Sequence, residues 1–313
     1  MRRETCRNGI SYTHFIMKPK KTLILFVLVI SAHLSWSQEF AFKVLVNKGK
    51  NEVRKGSSWQ PLKVGSQLKS TDEIRLVNDA YLGLVHHTGK AIEIKKPGAH
   101  KVSALEQSIP EGKSVLVKYT DFILSSNSDQ KKTLNATGAV TRGPENIQVF
   151  LPTSPSFTVV YGDKVAITWD KQEMKGPFQV TFSTPFGDDL KVVETAGNSV
   201  TIDLSDRDFQ YEDNIVISVV SRTDRKESPE QLMIKRLSKA DKERVKKQLD
   251  EISASAGEET ALNKLVLAGF FESQNLLIDA STAYQQAIEL APDVPEYKDY
   301  YQNFIIRTGI KNK

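Results

Sequence analysis

The feature that most constrains the fold is a stretch of 34 residues near the C-terminus, from Ala261 to Val294. Its apolar residues recur at spacings of three and four, which predicts two amphipathic helices. Small residues at Ala268 and Ala280 would let the two helices approach closely. Pro292 lacks the amide donor that a continuing helix needs, so the second helix should end before it. The stretch therefore predicts an antiparallel helical hairpin.

Seven positions of this hairpin match the spacing of a known repeat. They are Leu267, Ala268, Phe271, Ala280, Tyr284, Ala287 and Pro292. In this respect the stretch resembles one tetratricopeptide repeat, a unit that presents surfaces to other proteins. The alternative is an ordinary amphipathic helix pair packed on a neighbour. In the family, the first helix would face a bound peptide with Leu262, Leu265, Gly269, Glu272 and Ser273. The apolar Leu262 and Leu265 also suit burial under the charged helix that precedes them.

One such hairpin cannot bury both of its apolar faces, so flanking helices are expected. Residues 295–306 carry aromatic side chains at helical spacing, and residues 238–252 carry a capping pair at Ser238 and Asp241. The mixed charges of the earlier segment are typical of a solvated helix face. We therefore predict a four-helix unit over residues 238–313, called the helical unit below, rather than a long solenoid.

The beginning of the chain has the pattern of a secretory signal peptide over residues 1–37. Basic residues at positions 18–21 precede a short apolar run from Leu23 to Ile30, and small residues follow. The run is shorter than the roughly 20 residues of a membrane-spanning helix, which favours cleavage before Gln38 over a retained anchor. Met17 heads a well-formed signal of this kind and is an alternative start.

Cysteine usage and charge indicate the compartment and exclude some partners. Cys6 is the only cysteine and lies in this leader, so the mature chain would have neither disulfides nor cysteine-bound metal. An exported chain without cysteine favours a bacterial periplasm or cell envelope. Residues 1–37 also hold six basic residues and one acidic residue, so cleavage leaves equal numbers of each. We therefore expect no nucleic-acid partner, and membrane contact only through an uncleaved signal peptide.

Residues 38–124, the first β module, alternate apolar and polar residues between Gly, Pro and Asn-Asp turns, which predicts short strands. The strands and turns of this module contain a recurring set of apolar, glycine and aspartate positions, namely Val53, Trp59, Pro61, Leu62, Gly65, Leu68, Asp72, Ile74, Ala80, Leu82, Leu84, Gly89, Ile92 and Ile94. Over residues 49–100 the pattern resembles the periplasmic domain of the FecR family. The resemblance implies a small exported β-fold and no particular chemistry, and sigma-factor signalling is not expected. A helical pattern over residues 114–124 is predicted to cap this module.

A polar linker is predicted over residues 125–146, followed by the second β module over residues 147–237. About seven strands, with Trp169 at the end of an early one, resemble an immunoglobulin-like or fibronectin type III sandwich. Without a disulfide, the core would come from Trp169, Phe178, Phe182, Ile202 and Ile217. The predicted fold class is thus multidomain β and α: a FecR-like β domain, an Ig-like sandwich and a tetratricopeptide-like helical unit.

No catalytic motif is evident in the sequence. His86 and His87 are adjacent on a predicted strand, where neighbouring side chains point to opposite faces, so we expect no shared metal ion. Asp188 and Asp189 suit a hairpin turn. A phosphate-binding glycine loop and a nucleophile elbow are both missing. The sequence predicts that the protein is not an enzyme and uses no cofactor or metal.

Three functions remain open, the third of which is a hydrolase or sensor. The first is a non-catalytic periplasmic scaffold or adaptor, which binds other cell-envelope proteins through protein–protein interactions. The alternative is a module that binds cell-wall glycan or polysaccharide through exposed aromatic side chains, for which the candidates are Trp59, Tyr81 and Tyr161.

Overall fold

The computed structural model describes residues 40–109, 116–128, 157–170, 174–224, 232–256 and 259–308, together with residues 147 and 149. The predicted signal peptide, Cys6 and most of the predicted linker lie outside these residues. Within the described part of the chain, no helix has both the length and the apolar character needed to cross a membrane. The described residues from Phe40 onward belong to one compact unit.

Short strands form two four-stranded antiparallel sheets in the first β module. The strands are β1 (Phe42–Lys48), β2 (Glu52–Lys55), β3 (Ser58–Pro61), β4 (Gln67–Leu68), β5 (Glu73–Leu76), β6 (Tyr81–His86), β7 (Ala91–Ile94) and β8 (Gly98–Lys101). One sheet has the order β4-β1-β6-β7 and the other β3-β2-β5-β8. A short helix, α1 (Val102–Gln107), follows β8 directly.

Strand β6 is buried on both faces, which explains why apolar residues occupy consecutive positions along it. Leu82 and Leu84 point into the core between the two sheets of the first β module. Tyr81 and Val85 point the other way, into a core that also contains the helices of the helical unit. Side chains alternate between the two faces of a strand, so β6 serves two cores at once.

The second β module has a five-stranded sheet and a two-stranded sheet. The strands are β9 (Phe157–Val160), β10 (Lys164–Thr168), β11 (Phe178–Ser183), β12 (Asp189–Thr195), β13 (Ser199–Asp203), β14 (Asn214–Ser221) and β15 (Leu232–Arg236). The larger sheet has the order β12-β11-β14-β15-β9, in which only β9 and β15 pair in parallel, and β10 pairs with β13. All five predicted core residues are buried, and the Trp169 ring meets Phe178 edge-on at 5.5 Å between ring centroids.

Five longer helices complete the described structure. They are α2 (Leu116–Ser128), α3 (Lys239–Ala256), α4 (Ala261–Ser273), α5 (Leu277–Leu290) and α6 (Pro295–Arg307). The predicted hairpin agrees with α4 and α5, and the predicted flanking helices agree with α3 and α6. At the start of α3, the Ser238 hydroxyl accepts a hydrogen bond from the Asp241 amide at 3.2 Å and donates to its carboxylate at 2.7 Å. The chain is therefore a mixed β and α protein.

Helix α2 differs from its prediction in two ways. It continues to Ser128, so residues 125–128, expected in a linker, are helical. Its buried residues Tyr119 and Ile123 also belong to the core of the helical unit rather than to the core between the two sheets of the first β module. The helical spacing of these residues predicts the helix, but spacing alone does not show which surface a helix covers.

Candidate functional site

The helical unit contacts both β modules, and its contact with the first one depends on a glycine in β6. A Cβ atom at Gly83 would lie 3.0 Å from Leu262 Cδ1 and 3.1 Å from Val46 Cβ, so the missing side chain lets α4 approach the sheet. The Leu262 amide at the start of α4 donates to Glu93 Oε1 of β7 at 2.9 Å. Helix α4 is thereby held against the sheet at its N-terminal end.

A β-bulge in β1 forms a second contact with the helical unit. The pairing with β6 shifts register between Val44 and Val46, so Leu45 is the extra residue. Its side chain is buried, and its carbonyl accepts a hydrogen bond of 2.7 Å from the Tyr300 hydroxyl of α6. Nearby, the hydroxyls of Tyr81 and Tyr297 lie 2.6 Å apart in a buried hydrogen bond. Burial raises the pKa of both phenols, which therefore stay neutral.

The contact with the second β module is made by α5 through a buried carboxylate. Asp279 accepts hydrogen bonds from the amides of Tyr161 at 2.9 Å and Gly162 at 2.7 Å, in the turn between β9 and β10. One helical turn later, Thr282 Oγ1 accepts from the Ala166 amide at 3.2 Å. Burial raises the pKa of Asp279 to about 6, against the opposing effect of its amide donors and of Lys242.

Most of the residues expected to face a peptide are covered by other parts of the chain. Leu262 and Leu265 are fully buried, and Gly269 packs against α2, where Ile123 occupies the space in front of it. The Glu272 carboxylate is held by the Arg307 guanidinium at 2.7 and 2.6 Å and accepts from the Tyr284 hydroxyl at 3.1 Å. Ser273 alone is exposed. This surface is used within the protein, and we do not propose it as a peptide site.

Of the seven positions of the hairpin that match the tetratricopeptide spacing, those where the helices pack together have small or aromatic side chains. Ala268, Ala280, Tyr284 and Ala287 are fully buried between helices, and Phe271 is 7% exposed. Leu267 is half-buried, and Pro292 is exposed just after α5 ends at Leu290. Small side chains at the crossing of α4 and α5 allow the close approach that the sequence predicts.

The three candidate glycan-binding aromatic residues do not form a common surface. Trp59 lies on β3 beneath the Arg75 guanidinium, 4.4 Å from its ring centroid. Tyr81 is only 3% exposed. Tyr161 is half-buried, with its ring 6.2 Å from that of Phe271 in the helical unit. Because sugar rings bind to exposed aromatic faces, this arrangement offers no shared platform.

A cleft of about 590 Å³ lies where the first β module, α2 and α6 meet. Its lining residues are Lys43, Val64, Gly65, Gln67, Asp121, Leu124, Ser125, Asn127, Glu296, Asp299, Tyr300 and Asn303. Lys43 forms an ion pair with Asp121 across the cleft at 2.5 Å, and the Asn303 amide donates to Asn127 Oδ1 at 3.1 Å. Glu296 and Asp299 add two more carboxylates, so acidic groups outnumber basic ones in the lining.

The expectation that the His86 and His87 side chains point to opposite faces assumes an unbroken strand, and the structure differs. Strand β6 ends at His86, and the chain turns immediately afterwards. The two imidazole ring centroids are only 4.0 Å apart, with the ring planes tilted by 47°. With Glu106 of α1 they form a group of three side chains with metal-ligating atoms close together.

Comparisons with known proteins do not assign this chain to a family. No protein-family model matches the sequence, and no curated protein matches it. The solved structures that match part of the chain include two at 18% identity and a TM-score of 0.21 each. They are the complex of the pro- and mature domains of Porphyromonas gingivalis RgpB, and the Arg-specific cysteine proteinase gingipain R. The similarity covers 30% of this chain and spans only 19% of the length of either structure.

The prediction that the chain is not an enzyme is contradicted by these neighbours, because both are proteinase chains, and we do not maintain it. A TM-score of 0.21 nevertheless carries no argument about the fold or chemistry of this chain. Proteolysis is therefore not proposed either.

Proposed function

We propose that this chain is an exported scaffold or adaptor that binds other proteins of a bacterial cell envelope, with the cleft between the first β module, α2 and α6 as the binding site. The cleft is the observation that carries the proposal. At about 590 Å³, it can take several side chains of a partner segment. Its walls come from distant parts of the chain and are held by the buried contacts of α4, α5 and α6.

The charges of the cleft indicate what kind of segment it would hold. Lys43 is already paired with Asp121, which leaves the carboxylates of Glu296 and Asp299 on α6. A partner segment with a lysine or arginine side chain complements their negative charge.

The three predicted module types remain our proposal for the architecture. A FecR-like identity of the first β module is supported by its sequence pattern alone. The Ig-like identity of the second is supported by strands in two sheets with the Trp169 ring buried in their core. The tetratricopeptide-like identity of the hairpin is supported by the complete burial of the small residues Ala268 and Ala280. Export rests on residues 1–37, which lie outside the described structure.

No observation favours the glycan-binding alternative, because Tyr81 is buried and Trp59 and Tyr161 are each engaged with a different neighbour. Binding of a protein segment at the cleft is proposed independently of any catalytic activity.

A photo-crosslinking amino acid placed at Val64 tests the proposal. Val64 lines the cleft and is 43% exposed, whereas Val77 is 40% exposed on the same module but does not line it, which makes Val77 a matched control. In cell envelopes, we expect a discrete adduct from position 64 that position 77 does not give. The double variant Glu296→Gln, Asp299→Asn should weaken it. Identical adducts from both positions, or no adduct from position 64, would contradict the proposal.

A further inference from the structure

Three side chains at one edge of the first β module have the composition of a transition-metal site. The ligand atoms of His86, His87 and Glu106 all lie within 4.8 Å of one another. His86 Nε2 is 3.8 Å from Glu106 Oε1. In a tetrahedral zinc site with ligands at about 2.0–2.1 Å from the metal, neighbouring ligand atoms are about 3.3 Å apart. The side chains therefore need to move by an ångström or so to close around an ion.

Backbone hydrogen bonds around the turn between β6 and β7 bring the two histidines together. The His86 amide donates to the Lys90 carbonyl at 2.7 Å, and the His87 amide donates to the Ala41 carbonyl at 2.9 Å. Gly89, at φ +92°, adopts the left-handed conformation that closes the turn. The chain reverses within these residues, and so the alternation of side chains along β6 does not extend to His87.

Glu106 reaches the same place from the other sheet of the module. It lies on α1, which follows β8, and the Val102 amide at the start of α1 donates to the Asp72 carbonyl at 3.1 Å. Its side chain is 25% exposed, and His87 is half-buried, while the His86 side chain is 8% exposed. The group is thus anchored on its buried side and reachable from solvent on the other.

His86 has the surroundings of a positioned ligand. Its ring meets Phe42 edge-on at 5.0 Å between centroids. Its Nδ1 lies 2.8 Å from Thr88 Oγ1 and accepts a hydrogen bond of 3.3 Å from the Thr88 amide. With a metal on Nε2, the ring proton would move to Nδ1 and be donated to the threonine hydroxyl, and the hydrogen bond from the amide would be lost.

We propose that His86, His87 and Glu106 bind one divalent transition-metal ion, with zinc as the fitting probe, and leave a fourth position for water. Imidazole nitrogens suit zinc and its neighbours in the first transition row, whereas magnesium and calcium prefer oxygen ligands alone. The ion would join the β6–β7 turn to α1. Because β6 and β7 belong to one sheet and α1 follows β8 of the other sheet, the ion would link the two sheets of the module.

The test is a zinc titration of the full chain, purified without a polyhistidine tag, by isothermal titration calorimetry. We expect one zinc ion per chain and no heat from magnesium. His87→Ala and Glu106→Gln each remove one ligand at a partly exposed position, so both variants should fold, which circular dichroism verifies. Each variant should weaken zinc binding by about 100-fold or more. Loss of a hydrogen-bond partner of a ligand already weakens metal binding by about 10–100-fold, and loss of the ligand itself should weaken it at least as much.

His100→Ala is the matched control, since His100 lies on β8 of the same module and its Nε2 is 2.9 Å from the Lys96 carbonyl. This variant should bind zinc as the unaltered chain does. Cobalt bound to the unaltered chain should show the intense visible absorption of tetrahedral coordination, and the two ligand variants should lose it. No zinc binding, equal binding by all four chains, or equal loss in the His100 variant would overturn the proposal.

Discussion

Ile123 of α2 lies directly in front of Gly269 of α4, so closely that a Cβ atom on the glycine would be 2.6 Å from Ile123 Cγ1. A contact of that length is far inside van der Waals range. The two helices therefore pack at a distance that only glycine permits. Helix α2, from the N-terminal half of the chain, thus occupies the face of α4 that a bound peptide would need.

Replacing Gly269 by alanine should destabilise the protein by about 1–2 kcal/mol. Overpacking a buried contact costs about 1–3 kcal/mol, and the better helix propensity of alanine returns up to about 1 kcal/mol. Urea unfolding measures the change. In an Ile123→Ala background the space is open, and Gly269→Ala should become neutral or stabilising. The same cost in both backgrounds would mean that this contact does not limit the approach of the helices.

Tyr300→Phe should lower the free energy of unfolding by about 1–3 kcal/mol, because the carbonyl of the bulge residue Leu45 loses its donor at a buried position. The ring is retained, so packing changes little. Thermal and urea denaturation give the value. Tyr211→Phe is the control, since Tyr211 is 86% exposed and its hydroxyl should contribute nothing. Equal stabilities of the two variants would exclude a role for the hydrogen bond to the bulge.

The side chains of Glu272 and Arg307 form a buried ion pair and are 6% and 13% exposed. Glu272→Gln leaves the guanidinium without a compensating charge, so it should lower the free energy of unfolding by about 3–5 kcal/mol. Removing both charges with Glu272→Met and Arg307→Met together should cost less than either single change. A double-mutant cycle measured by chemical denaturation checks this. Additive losses would show that the two side chains act independently.

The stability of the protein should depend on pH through Asp279. Its pKa is raised to about 6 from 3.8, so between these values the folded state binds a proton that the unfolded state has released. The contribution of Asp279 therefore decreases as pH rises from about 4 to about 6, by up to about 3 kcal/mol. Denaturation across this range should show the decrease for the unaltered chain.

Asp279→Asn cannot titrate, so the difference in unfolding free energy between this variant and the unaltered chain should change across the same range. Asp293→Asn serves as the control. Asp293 is exposed and its pKa is lowered by Lys48, so its own titration lies below this window. A pH profile of Asp279→Asn parallel to that of the unaltered chain would show that Asp279 is not the group that titrates.

Local patterns in the sequence were enough to predict the elements whose cores are local. The hairpin of α4 and α5 follows from the spacing of Ala268, Ala280 and Tyr284, and the burial of Trp169 and Phe178 follows from strand alternation. In each case the residues that determine the element also pack against one another, so the pattern and the structure report the same contacts.

Contacts between distant segments could not be predicted in this way. Nothing in the pattern of Tyr119 and Ile123 shows that their helix packs on Gly269 rather than on the nearer sheets. The bulge at Leu45 and the convergence of His86 with His87 depend on where a strand is interrupted or ends. Such boundaries are set by hydrogen bonds with distant residues, and alternation along the strand does not reveal them.

The double burial of β6 has a consequence for how the protein can form. Tyr81 and Val85, together with Leu45 and Val46, complete a core whose other members come from the last helices of the chain. Tyr81 and Tyr297 are separated by 216 residues. Contacts of such long range form late in folding. One face of the N-terminal strands therefore remains exposed until the C-terminal helices have been synthesised and pack against it. A chain that stops before α3 would expose that apolar strip to water, so the end of the sequence is a condition for the solubility of its beginning.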